Sequence, residues 1–91
     1  MLIRSQDKAF LLNFNNLTAI YMEKIDKDFD IVYNDFEDAY TLGKYSTEAK
    51  AMKVLDMVQD AYERYEYEKV FKTGLTLFET FQMPEDGSVE V

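Results

Sequence analysis

The chain changes its hydrophobic period once, near residue 46, and this constrains its fold more than any other feature. Before that point, short runs alternate apolar and polar residues and are separated by polar turns. After it comes STEAKAMKVLDMVQDAYERYEYEK (46–69), with apolar residues three and four apart. Period two places alternate side chains on opposite faces of a strand, and spacings of three and four place them on one face of a helix. Five strands are predicted in the first half: Leu2–Ser5, Ala9–Phe14, Leu17–Ile25, Phe29–Phe36 and Ala39–Tyr45. The turns lie at Gln6–Lys8, Asn15–Asn16, Asp26–Asp28 and Glu37–Asp38. These connections are too short for helical crossovers, so sequential antiparallel pairing is expected.

Within the strands, Phe10, Leu12 and Phe14 share a face. Phe29, Ile31 and Tyr33 oppose Asp30, Val32 and Asn34. In Leu17–Ile25, Ile20 and Met22 share one face, while Ala19, Tyr21 and Ile25 share the other. Apolar residues on both faces point to a central strand, or to one covered at an edge by a partner. Gly43 marks a bulge or the bend out of the sheet.

The helix is predicted from Ser46 or Thr47, either of which can cap free amide donors. Its apolar stripe reads Met52, Leu55, Val58, Tyr62 and Tyr65, with Ala51 and Ala61 beside it. Asp60 and Arg64 are spaced to pair. Residues 75–83, LTLFETFQM, suit a final strand, with a short helix as the alternative. Pro84 stops either, and residues 84–91 are expected to form a loose acidic tail. The expected architecture is α+β: a four- or five-stranded antiparallel sheet packed against one long amphipathic helix, in a single domain over residues 1–83.

Composition narrows the chemistry. The 91 residues contain no histidine, cysteine or tryptophan, and 18 acidic residues face 10 basic ones for a net charge of -8. Without histidine the usual serine relay is absent, and without histidine and cysteine so are the usual zinc sites. The three glycines are isolated, so no phosphate-cradling loop is expected. Asp26, Asp28, Asp30 and Glu37 match positions 1, 3, 5 and 12 of a calcium loop, but Ile31 occupies the position that needs glycine. The same residues alternate as a strand, which divides them between two faces. No catalytic residue, metal site or cofactor is therefore expected.

The acidic balance disfavours phosphate binding, so direct nucleic-acid contact is not expected. It suits a basic protein partner. Asp56, Asp60, Glu63, Glu66 and Tyr67 are the candidate interaction residues, because they lie largely off the apolar stripe. The expected function is non-catalytic protein interaction or an accessory role, with a homodimer among the partners. The alternatives are an acidic nucleic-acid mimic that inhibits a DNA-binding protein, and a small enzyme using carboxylates. MLIRSQDKAF shows no secretory leader, and no apolar run approaches the roughly 18 residues of a membrane span, so a cytoplasmic location is expected.

LIRSQDK, LTAIYME and above all YTLGKYSTEAKAMKVLDMVQDAY resemble a family of small proteins of Gram-positive bacteria and their phages, to which no activity is attached. The shared pattern is a strand leading into LGxY, then ST and a helix with an A-x-x-V-L stripe. Here those residues are Leu42, Gly43, Tyr45, Ser46, Thr47, Ala51, Val54 and Leu55. Phe81–Asp86, FQMPED, resembles the family's closing strand, which favours β over helix for 75–83. Ala49 stands where the family pattern often has Glu, so the reciprocal capping box is missing. The resemblance implies no catalytic residue. It does imply a phage-related accessory role, such as a host-directed inhibitor.

Overall fold

The computed structural model describes residues 1–14, 19–71 and 80–91. Among the described residues, six strands and one long helix follow in the order β1 (Leu2–Arg4), β2 (Leu11–Asn13), β3 (Ala19–Ile25), β4 (Asp28–Asn34), β5 (Ala39–Tyr45), α1 (Glu48–Phe71) and β6 (Thr80–Gln82). The α+β architecture, the long helix and the late strand are as the sequence leads one to expect. The part of the late strand assigned to 75–79 lies outside the described residues.

The strands are shared between two three-stranded sheets, ordered β2-β1-β6 and β3-β4-β5. β6 runs parallel to β1, with Ile3 opposite Phe81, so the first and last strands are neighbours. The division has a physical cause at the β5 edge, where a side chain takes the place of a further strand. Gln6 Oε1 accepts from the Lys44 N–H at 2.8 Å, and Gln6 Nε2 donates to the Lys44 carbonyl at 3.1 Å. The Gln6 N–H donates to the Leu42 carbonyl at 2.7 Å. The ladder ends there because these groups are already satisfied.

β3 and β4 pair in register from Ala19↔Asn34 to Ile25↔Asp28. The turn between them is only Asp26–Lys27, and Asp26 adopts a φ of 55°, which short polar side chains tolerate. β4 pairs with β5, and the register slips between Ile31 and Val32. The extra residue is Leu42, so of the bulge or bend expected at Gly43 a bulge forms, one residue earlier, and Gly43 itself pairs with Ile31. β4 ends at Asn34, two residues earlier than predicted, because the Asp35 carboxylate accepts the N–H groups of Glu37 and Asp38 and turns the chain.

Helix α1 covers the face of the larger sheet that carries Ile31 and Tyr33. Thr47 caps it, its Oγ1 accepting from the Lys50 N–H at 3.2 Å. The buried centre of the helix is Ala51, Val54, Val58 and Ala61, with Leu55, Tyr62 and Tyr65 half-buried around it. This corrects the predicted stripe. Met52 is 45% exposed, and Val54 takes the central place. Small residues at the contact let the helix approach the sheet closely, so the larger side chains lie on the shoulders of the interface. Ile3, Met83 and Val89 join the same core, which unites the two sheets.

Residues 84–89, within the segment expected as a loose tail, are held against the domain. Val89 is buried, and a 3-10 turn at Asp86–Ser88 brings Asp86 to the start of α1. The Asp86 carboxylate accepts the Ser46 N–H at 2.8 Å and the Ser46 hydroxyl at 2.9 Å, with Lys50 Nζ at 3.5 Å. An acid beside the positive end of a helix is favourably placed, and here it arrives from the far end of the chain.

Candidate functional site

The outer face of α1 follows from the burial of the inner one. At 3.6 residues per turn, Met52, Asp56, Asp60, Glu63 and Tyr67 fall within about 80° of one another around the axis. All five are exposed, Tyr67 by 60%. Three carboxylates thus lie between an exposed methionine at one end and an exposed tyrosine at the other. Gln59 Nε2 donates to Glu63 Oε1 at 3.1 Å and fixes the direction of that acid.

Glu66 is placed differently from the other four sequence candidates. It is half-buried, and the Tyr62 hydroxyl donates to its carboxylate. That bond, followed by burial and by the Glu66 charge, raises Tyr62 above its ordinary pKa. Tyr62 also stacks at a tilt on Phe14, with centroids 4.7 Å apart. Glu66 therefore supports the core shoulder and does not extend the exposed ridge.

Two open clefts flank the helix. One, of about 340 Å³, is lined by Phe14, Ile20, Leu55, Val58, Gln59 and Tyr62. The other, of about 230 Å³, is lined by Met57, Asp60, Ala61, Arg64, Thr80 and Phe81. Asp60 and Arg64, spaced to pair, line this second cleft together. The first cleft is apolar but for Gln59. Its walls can receive an apolar side chain, and they offer no proton-transfer pair.

The residues of the near-match to a calcium loop do not converge. Asp26 is in the β3–β4 turn, Asp28 and Asp30 are on β4, and Glu37 is in the next turn. Among the described residues, no group of three or more acids is placed to hold a metal ion. No helix among them is long and apolar enough to cross a membrane.

Two features escaped the sequence. Phe36 stands 93% exposed at the tip of the β4–β5 turn, beside Asp35, Glu37 and Asp38. Its place at the end of an alternating run made it look like strand. Asp30 is 1% exposed, and its Oδ1 has no hydrogen-bond partner, while Oδ2 lies 3.4 Å from Lys44 Nζ. Alternation assigns Asp30 to the face away from the helix, but gives no sign that neighbouring side chains bury it there. No family model, curated protein or solved structure matches the chain.

Proposed function

We propose that the protein is a non-catalytic interaction or accessory protein that engages a basic protein partner through the outer face of α1. The observation that carries this reading is the exposed line Met52–Asp56–Asp60–Glu63–Tyr67, an acidic centre with an apolar anchor at each end. Tyrosine and methionine supply contact area, and both are enriched at interfaces. The carboxylates steer a positively charged surface and set its orientation. A helix presents them on a rigid scaffold, so little ordering is needed on binding.

The test is affinity capture from the native host with the wild-type chain and with the triple variant Asp56→Lys, Asp60→Lys, Glu63→Lys. A basic protein retained by the wild type, released by salt and lost with the variant supports the reading. Equal retention by both chains would remove this face from consideration. If the captured protein binds DNA and duplex DNA displaces the wild-type chain, the partner is held by nucleic-acid mimicry.

A further inference from the structure

The outer edge of β3 differs from every other strand edge among the described residues. β2 and β6, at the edges of the smaller sheet, are three residues long. The outer edge of β5 is interrupted by the Leu42 bulge and satisfied by Gln6. β3 runs seven residues without a register slip, and among the described residues no strand pairs with its outer side. It contains no proline. Its one lysine, Lys24, lies over the Phe29 ring of β4, 5.7 Å from the centroid, and so is drawn inward from the edge. Edges with free backbone groups recruit strands unless a short strand, a charge, a proline or a bulge prevents it.

The hairpin fixes which groups face outward. A two-residue turn makes its flanking residues, Ile25 and Asp28, a hydrogen-bonded pair. Alternation then directs the N–H and C=O of Ile20, Met22 and Lys24 away from β4.

We propose that two copies of the chain associate through antiparallel pairing of β3 with the partner's β3, centred on Met22. A two-fold axis at Met22 overlaps the strands over their full length. It sets Ile20 against the partner's Lys24, and Met22 against the partner's Met22, each pair exchanging both backbone bonds. Tyr21 then faces the partner's Glu23, and Ala19 faces the partner's Ile25. No like charges stand opposite one another. Centring on Glu23 instead would oppose two glutamates, and centring on Tyr21 would shorten the overlap.

Charge along the strand permits a second copy. The chain carries -8, but Glu23 and Lys24 cancel within β3, so two copies meet here without strand-to-strand repulsion. Tyr21 and Ile25, exposed by 36% and 39%, gain cover on the face away from the helix. The larger sheets join into one of six strands, with both helices on the same side. The inference is independent of the outer face of α1, which stays exposed in the dimer.

The test is sedimentation of the full chain across concentrations from about 10 μM to about 1 mM, since a single-edge contact falls among small, weak interfaces. The expected result is a monomer–dimer equilibrium that Met22→Pro abolishes. The Met22 N–H faces outward, so proline there costs no bond to β4. A second variant, Met22→Cys, covers the case in which the proline chain does not fold. The chain has no cysteine, and hydrogen-bonded strand partners hold their Cα atoms about 5.5 Å apart, within disulfide reach. Oxidation should cross-link Met22→Cys at least about tenfold faster than Ala49→Cys on the exposed first turn of α1, because pairing raises the local thiol concentration. A wild-type chain that stays monomeric throughout overturns the proposal. So does a dimer untouched by a folded Met22→Pro chain, or equal cross-linking of the two cysteine variants.

Discussion

Gly43→Ala tests the tightest contact in the core. An added Cβ would lie 2.9 Å from Tyr45 Oη, 3.0 Å from Cε2 and 3.2 Å from Cζ. All three distances are shorter than an unstrained carbon contact of about 3.5–4.0 Å. The ring cannot yield easily. Tyr45 is fully buried, and its hydroxyl donates to the Pro84 carbonyl at 2.8 Å. Overpacking of this kind costs about 1–3 kcal/mol. Alanine restricts the unfolded chain and returns about 0.4–1 kcal/mol. The expected net loss is about 1–2 kcal/mol, or about 5–15 °C in Tm for a domain of this size. Urea and thermal unfolding of four chains measure it: wild type, Gly43→Ala, Tyr45→Phe and the double variant. Tyr45→Phe removes the nearest atom, so Gly43→Ala should cost at least about 0.5 kcal/mol less in that background. A Gly43→Ala chain as stable as wild type would refute the reasoning. Strict additivity of the two changes would refute the assignment of the clash to the Tyr45 hydroxyl and leave only the ring carbons, which phenylalanine keeps.

Three further outcomes follow from the packing around that contact. Asp86→Ala should lower stability by about 1 kcal/mol in chemical unfolding, a modest figure because the carboxylate is partly exposed. The Ser46 N–H first, then its hydroxyl and Lys50, hold Asp86 below the usual carboxylate value of 3.8, so this contribution is present above that pH and fades as pH falls through the lowered value. Burial first, and the Asp86 charge second, push Tyr45 far above its ordinary 10.0. Its contribution is therefore full below pH 10 and declines as pH rises beyond it, and Tyr45→Phe should flatten that part of the stability curve in pH-dependent urea titrations. Asp30→Val should be neutral or stabilising by about 1 kcal/mol, because it removes a buried carboxylate with an unsatisfied oxygen, whereas Lys44→Ala should destabilise by leaving that charge unpaired.

What the sequence discloses about this fold is its periods, and periods are local. Phe29, Ile31 and Tyr33 alternate with Asp30 and Val32, and the core does take the first set. Phe10, Leu12 and Phe14 likewise share the inward face. The helix is legible for the same reason, but its rotation is displaced. Met52 is a large apolar residue at the right spacing, yet the sheet selects Ala51 and Val54, because contact depth depends on both partners and the helix sequence encodes one of them. The partition into two sheets is less legible still. It depends on Gln6 reaching Lys44, 38 residues away, with its side-chain amide. Nothing in the pattern around Gln6 distinguishes that bond from a solvated turn.

The same distinction separates the parts of the candidate surface. Asp56, Asp60, Glu63 and Tyr67 could be placed together because one helix carries them, and helical spacing is an intrasegment rule. Glu66 belongs to the same segment but is withdrawn by Tyr62, which packs on Phe14, just beyond the end of β2. β3 shows the limit most clearly. Apolar residues on both of its faces are compatible with a central strand or with an edge strand that has a partner, and only the pairing of β5 with Gln6 and of β4 with both neighbours leaves β3 outermost. A strand patterned for a centre and placed at an edge is the physical reason to look for a second copy beside it. The sequence supplies the pattern, and the topology supplies the vacancy among the described residues.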